Sequence, residues 1–271
     1  MAGAPERAAD HRLLHQGRPP ADRHLRGVRA RAVPQPVLIV GDVHGDLERL
    51  FKALRPYPPD QWRTVFLGDL VDGGPFGVGG LRYARDRPNS TVLLGNHEVA
   101  MLWALRDRGR VGFWVGMGGQ PHDLQELGGD PGLQEWLRAR PALARLQDGS
   151  LLQHSDNDNY AALIDDLDAD PIEEVNRMTR VLLDNGREDL LWEAMSPFSV
   201  FRRQPHRLSE WLKRTGARRV VHGHSPHRAK EPDAYHNGAA ISYDGSFSRY
   251  YGGRYTRGRG AAGATVAPLP P

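Results

Sequence analysis

The chain contains no cysteine. That absence removes disulfides, thiolate zinc sites, iron–sulfur clusters and any cysteine nucleophile, so a cysteine-based phosphatase or protease is excluded. No apolar run approaches the ~20 residues of a membrane span, so no membrane partner is expected. The Arg-rich opening segment lacks the apolar core of a secretory signal, and a cytoplasmic location is expected. Lysine is scarce, with 3 of the 36 basic residues against 33 arginines, a skew that reads as genome composition rather than function. What remains is a 271-residue chain that is 39% hydrophobic and 25% charged, enough for one large domain or two small ones with a sizeable core.

The formal net charge of +3 is unevenly distributed. Residues 1–35 carry +4, residues 252–271 carry +3, and the span between them carries −4. The organisation expected is a flexible Ala/Arg/Pro-rich tail over 1–35, a domain over 36–251, and a flexible basic tail over 252–271. Neither tail shows helix or strand periodicity. Their arginines lack interleaved aromatics apart from Tyr255, so they read as solvated ends rather than nucleic-acid-binding arms.

Five short apolar runs recur in the middle: Val37 to Val40, Thr64 to Leu67, Thr91 to Leu94, Ser150 to Gln153 and Arg219 to Val221. Each reads as a short buried strand. Helical stripes lie between them. Leu47, Leu50, Phe51 and Leu54 share one face, as do Val99, Leu102 and Leu105. Ile172, Val175, Met178 and Leu182 form another stripe ended by Gly186, and Leu208, Trp211 and Leu212 one stopped at Gly216. Strands alternating with helices predict an α/β fold. Two long helical stretches, 98–148 and 160–216, exceed plain crossovers and are expected to build a cap over one edge. Residues 236–250 predict a final hairpin turned at Asp244-Gly245.

The runs end alike. The first is followed by Gly41-Asp42-Val43-His44-Gly45, the second by Gly68-Asp69-Leu70-Val71-Asp72-Gly73-Gly74, and the third by Gly95-Asn96-His97-Glu98. His154 follows the fourth and His222-Gly223-His224 the fifth. Ligands of an α/β sheet bind at the carboxyl ends of its strands, so all five runs deliver Asp, Asn or His to one rim. Carboxylate, imidazole and amide oxygen without sulfur suit Mn, Fe or Zn. Asp42 and His44 sit two apart, so an extended segment points both to one side as a chelating pair. A single Gly-Asp or a lone His would more often be a turn or a satisfied core residue; five such endings are not independent accidents.

With these motifs in this order, residues 37–228 resemble the calcineurin-like metallophosphoesterases, most closely bacterial members of the Ser/Thr phosphoprotein phosphatase type. The pattern GDxHG matches 41–45, GDxVDxG matches 68–74, GNHE matches 95–98, and GH[ST] matches Gly223-His224-Ser225. The resemblance implies an α/β/β/α sandwich with a metal site at the strand carboxyl ends and helical cap insertions. It implies that Asp42 and His44 hold one metal, that Asp69 bridges, and that Asn96, His154 and His224 hold the second. His97 would be the general acid, oriented by Asp72. The implied cofactors are two divalent ions, Mn first, with Fe or Zn also accepted. About 3.5–4 Å apart, such ions clamp the oxygens of an in-line displacement, and a bridging hydroxide attacks phosphorus.

The match breaks at two arginines. Members of the type usually carry Arg in GDxVDRG and just before GNHE, and both grip phosphate; here Gly73 and Leu94 stand there. Substitute donors are sought in Arg202 and Arg203, or in Arg249. Family branches with GHxH have a further metal histidine where this chain has Pro226, while His222 matches no ligand role and His227 and Arg228 read as loop residues. The function expected is hydrolysis of phosphomonoesters, with a phosphoprotein, small phosphoester or nucleotide as the partner. The alternatives are hydrolysis of dinucleoside polyphosphates and, in a different class, a low-activity metal-binding scaffold.

Overall fold

A computed structural model describes residues 35–250 and 266–270. Strands β1 (Val37–Val40), β2 (Arg63–Phe66) and β3 (Ser90–Val92) pair in parallel, in register Ile39 with Val65 and Val65 with Thr91. Helices α1 (Leu47–Leu54) and α2 (Gly77–Asp86) connect them. Then follow α3 (Asn96–Arg106), α4 (Val111–Gly116), α5 (Pro121–Gly128) and α6 (Pro131–Arg138). Strands β4 (Leu143–Arg145) and β5 (Ser150–Gln153) come next, then α7 (Pro171–Asp184), α8 (Glu188–Met195), α9 (Val200–Arg203) and α10 (Pro205–Thr215). The described chain closes with β6 (Arg219–His222), β7 (Asp233–Tyr235), β8 (Ala240–Ser242) and β9 (Val266–Pro268).

Two sheets result, in orders β3-β2-β1-β9 and β4-β5-β6-β8-β7. Strand alternation sorts the side chains between two cores. Ile39, Val65, Leu67, Leu152, Val221 and Ile241 form one apolar cluster drawn from both sheets. The neighbouring positions Leu38, Val40, Phe66, Leu151 and Val220 join the helices in the other. A strand buried on both faces has no polar face to show, which is why each run has adjacent apolar residues rather than an alternation with polar ones. The expected α/β/β/α sandwich is therefore the architecture found.

Four expectations are corrected. Val266–Pro268, assigned to the flexible tail, pairs antiparallel with β1, Ile39 against Ala267. A three-residue strand ending in proline leaves no periodicity to read, and an edge is where proline is tolerated. The remaining tail residues, 1–34, 252–265 and 271, lie outside the described residues. The last hairpin joins β7 to β8 with Ala234 opposite Ile241, and it turns through His236, Asn237 and Gly238, all at positive φ, not at Asp244-Gly245. The stretch 98–148 contains β4, antiparallel to β5. Phe51 of α1 is 50% exposed and packs edge-on against Tyr83, whereas Leu50 and Leu54 enter the core. The α10 stripe does stop at Gly216, whose φ of +64° suits glycine.

Candidate metal centre

The loops leaving β1 and β2 are stitched by their backbones. The N–H groups of Val43 and His44 both donate to the Asp69 carbonyl at 2.9 Å, and Gly45 N–H donates to that of Leu70 at 2.8 Å. His44, Asp69, Asp72 and His224 all have positive φ between +47° and +69°, a backbone strain that clusters at functional sites. Two glycines make the convergence possible. A methyl on Gly95 would overlap Asp69 Oδ1, and one on Gly223 would overlap Asp42 Oδ1.

Asp69 is the hub. Its Oδ1 accepts from His97 N–H at 3.0 Å. Its Oδ2 lies 3.3 Å from His154 Nε2 and 3.9 Å from both His44 Nε2 and His97 Nε2. Two groups able to hold a cation share it: His44, Asp69 and His97, and Asp69, His154 and His224, with donor atoms inside 4.8 Å in each. Asp42 Oδ2 stands 3.7 Å from His44 Nε2, while its Oδ1 accepts from His224 N–H at 2.9 Å. Asn96 Oδ1 stands 2.7 Å from His154 Nε2.

Three imidazoles are oriented the same way. His44 Nδ1 meets the Val71 carbonyl at 3.2 Å, His154 Nδ1 that of Leu67 at 3.1 Å, and His224 Nε2 that of Ser196 at 2.9 Å. A carbonyl only accepts, so each of these nitrogens carries the proton. The other nitrogen of His44 and of His224 turns a lone pair to the cluster. Burial disfavours a charged His154, but Asp69 outweighs it and raises that imidazole, so its Nε2 gives up a proton when it takes a cation. His154 Nε2 and His224 Nδ1 then face each other at 3.2 Å, an arrangement that a shared cation satisfies. Burial, reinforced by His97 for His44 and by His154 for His224, lowers both of these imidazoles to about 3, which keeps them neutral as ligands must be.

The carboxylates are crowded. Burial, then Asp244 and Asp69, raises Asp42. Burial raises Asp244 to about 6. Burial opposes ionisation of Asp69 too, but His154 and His97 outweigh it and hold Asp69 low. Asp42, Asp69 and Asp244 line one cavity of about 560 Å³, and no Lys or Arg is among its described lining residues. Uncompensated buried carboxylates are costly, and this donor set fits divalent cations. The other walls are Phe113 and Met117 from the first helical insertion, Trp192, Ser196, Phe198 and Ser199 from the second, and the 244–248 loop.

His97 Nδ1 meets Asp72 Oδ2 at 2.7 Å. Burial works against a charged His97, but Asp69 and the Asp72 hydrogen bond outweigh it and lift the imidazole to about 9. In the metal-free protein this group therefore adds stability that is fully present below pH 6.5 and is lost as pH rises through about 9, a swing of about 3 kcal/mol. Denaturant unfolding of metal-free protein at pH 6 and pH 10 should show wild type losing more stability than His97→Gln. Equal losses would mean that Asp69 and Asp72 do not hold the charged ring.

Three residues without an assigned role in the sequence reading belong to the site. Glu98 accepts backbone N–H bonds from Asp69, Leu70 and Gly95 at 2.7–2.9 Å, and from Val71 at 3.3 Å, so it shapes the loop that carries Asp69. Burial and then Asp69 lift its carboxyl to about 7. Glu98→Gln puts an NH2 against N–H donors and should cost about 3 kcal/mol; a denaturation midpoint near wild type would contradict this. Trp114 Nε1 donates to Asp72 Oδ1 at 2.8 Å. Asp244 follows β8 as Asp42 follows β1, so the same strand-end rule would have found it had the hairpin been placed correctly.

The arginines expected to replace the missing phosphate grip do not line the cavity. Arg202 pairs with Asp233 at 2.8 Å and lies over the Tyr235 ring, and Arg203 donates to the Phe198 carbonyl. Arg249 pairs with Asp46 and Glu48. Gly73 has a φ of +74° and donates its N–H to the Gly118 carbonyl, leaving no side chain to reach a phosphate. His222 is buried against the Tyr235 hydroxyl, away from the cavity lining.

A sheet sandwich with imidazoles and carboxylates gathered at its strand ends is a site of the class that can hold metal ions. Residues 35–228 match the calcineurin-like phosphoesterase family, and the chain belongs to it. The chain is 34% identical over 113 residues to the symmetrical bis(5'-nucleosyl)-tetraphosphatase of Methylococcus capsulatus, covering 40% of this chain and 39% of that protein. It is 39% identical over 85 residues to serine/threonine-protein phosphatase 1 of Salmonella typhimurium, covering 31% of this chain and 38% of that one. The chain thus spans about two fifths of the length of these curated relatives. The solved cold-active protein-tyrosine phosphatase of a psychrophilic Shewanella shares the fold, with a TM-score of 0.58 and 18% identity over 78% of this chain and 71% of that chain. Among the described residues no helix is long and apolar enough to cross a membrane.

Proposed function

We propose that the chain is a dinuclear metal-dependent phosphoesterase that hydrolyses phosphomonoesters. The observation that carries this is Asp69 Oδ2, shared by two histidine groups in which His44, His154 and His224 each turn one ring nitrogen to a backbone carbonyl and the other toward the cluster. Asp42 and His44 would hold one ion, Asn96, His154 and His224 the other, and Asp69 both. Bound there, two divalent ions supply Lewis acidity that neutralises phosphate charge and makes water acidic enough to attack at neutral pH. The protein supplies the rest. Glu98 holds the Asp69 loop in place. Asp72 accepts from His97 Nδ1–H, leaving the proton on Nε2 available to the departing oxygen. Phe113, Trp192 and Phe198 give the cavity an apolar wall.

A second reading, hydrolysis of dinucleoside polyphosphates, has its own support. Phe113 and Phe198 are 39% and 57% exposed on the cavity wall, where a cationic side chain is absent from the described lining. Such a wall grips an aromatic ring better than a phosphate. The test is hydrolysis by metal-stripped protein reloaded with manganese, with p-nitrophenyl phosphate and diadenosine tetraphosphate compared. Metal-dependent release from the ester supports the first reading, and strong preference for the dinucleotide supports the second. Neither reaction, with metal bound, would contradict both and leave a metal-binding scaffold.

A further inference from the structure

We propose that Trp114 is a positioning residue that fixes Asp72, and through Asp72 the His97 imidazole, for proton donation to the leaving oxygen; this rests on the role of His97 given above. Asp72 sits on strained backbone at φ +69°, fully buried. Its two oxygens have separate partners: Oδ2 meets His97 Nδ1 at 2.7 Å and Oδ1 meets Trp114 Nε1 at 2.8 Å. The terminal torsion of an aspartate is broad, so one partner leaves the carboxylate free to swing, and two lock its plane. An indole N–H only donates and does not ionise in the working range. It therefore holds the carboxylate without competing for the proton that His97 is to carry.

Trp114 is itself immobilised. Its side chain is fully buried, and its carbonyl accepts from Gly119 N–H at 3.0 Å. Any side chain on Gly119 would overlap the indole. The turn at Gly73 is tied to the same segment by Gly73 N–H to the Gly118 carbonyl at 2.8 Å and by Gln120 Nε2 to the carbonyls of Gly73 and Gly118. Helix α4 thus walls the cavity with Phe113 and holds the partner of the acid with the next residue. A buried tryptophan usually finds some acceptor for its N–H. The distinguishing feature is that this acceptor is the carboxylate that orients the candidate acid.

Trp114→Phe keeps a ring in place and removes the donor. In manganese-loaded protein, turnover of an alkyl phosphate, a poor leaving group, should fall ~10-fold or more, as it does when a hydrogen bond that orients a functional side chain is lost. Turnover of 2,4-dinitrophenyl phosphate, whose leaving group needs no proton, should change less than about twofold. In the His97→Ala background Trp114→Phe should have no further effect on either substrate. Equal losses on both substrates, no loss, or an additive loss in the double variant overturns the proposal. If Trp114→Phe does not fold, 3-benzothienylalanine at position 114 replaces the N–H by sulfur in the same shape, and the same outcomes apply. Leaving-group selectivity in His97→Ala but not at position 114 sinks this proposal alone. Its absence from His97→Ala sinks the acid role and this proposal with it.

Discussion

Asp69→Asn is expected to lower metal-dependent turnover by ~10³-fold or more, because the Lewis-acid contribution of the ions is worth several kcal/mol and each ~1.4 kcal/mol is tenfold. The substitution is nearly isosteric. An asparagine oxygen can still accept from His97 N–H as Oδ1 does, so the backbone framework should persist. The loss falls on Oδ2, the one atom near His44, His97 and His154 together. An NH2 there offers no lone pair and no charge. Kinetics of the manganese-loaded variant on p-nitrophenyl phosphate check this, and activity within tenfold of wild type would mean that Asp69 is not the shared ligand.

His97→Ala is expected to lower turnover of alkyl phosphates by ~10²–10⁴-fold, the usual contribution of a positioned general acid. On 2,4-dinitrophenyl phosphate the same change should cost little, since that leaving group departs unprotonated. His97 also lies inside the first donor group geometrically. If it serves as a metal ligand instead, both substrates lose turnover alike and metal content falls with them. A leaving-group series run on one variant separates the two roles.

The rim of the site was legible because its logic is local. Each ligand follows a short apolar run within four residues, and a buried strand announces itself by having no polar face. The same locality explains what was missed. Trp114 and Asp72 are 42 residues apart and meet only through tertiary packing, so no spacing marks them. Glu98 stands in a recognised motif, but its work is done on backbone N–H groups of another loop, which a sequence does not display. Asp244 was hidden by assigning it to a turn when the positive-φ residues 236–238 make that turn. Arg202 and Arg203 had the right charge, but Asp233 and the Phe198 carbonyl engage them instead.

The shared use of Asp69 by two cations is the claim on which the rest depends. Metal analysis of purified protein after manganese loading and desalting, with isothermal titration of the stripped protein, tests it most directly. The expected result is two ions per chain in wild type and fewer than one in Asp69→Asn, with both proteins folded. One ion or none in wild type, or two retained by Asp69→Asn, would contradict it.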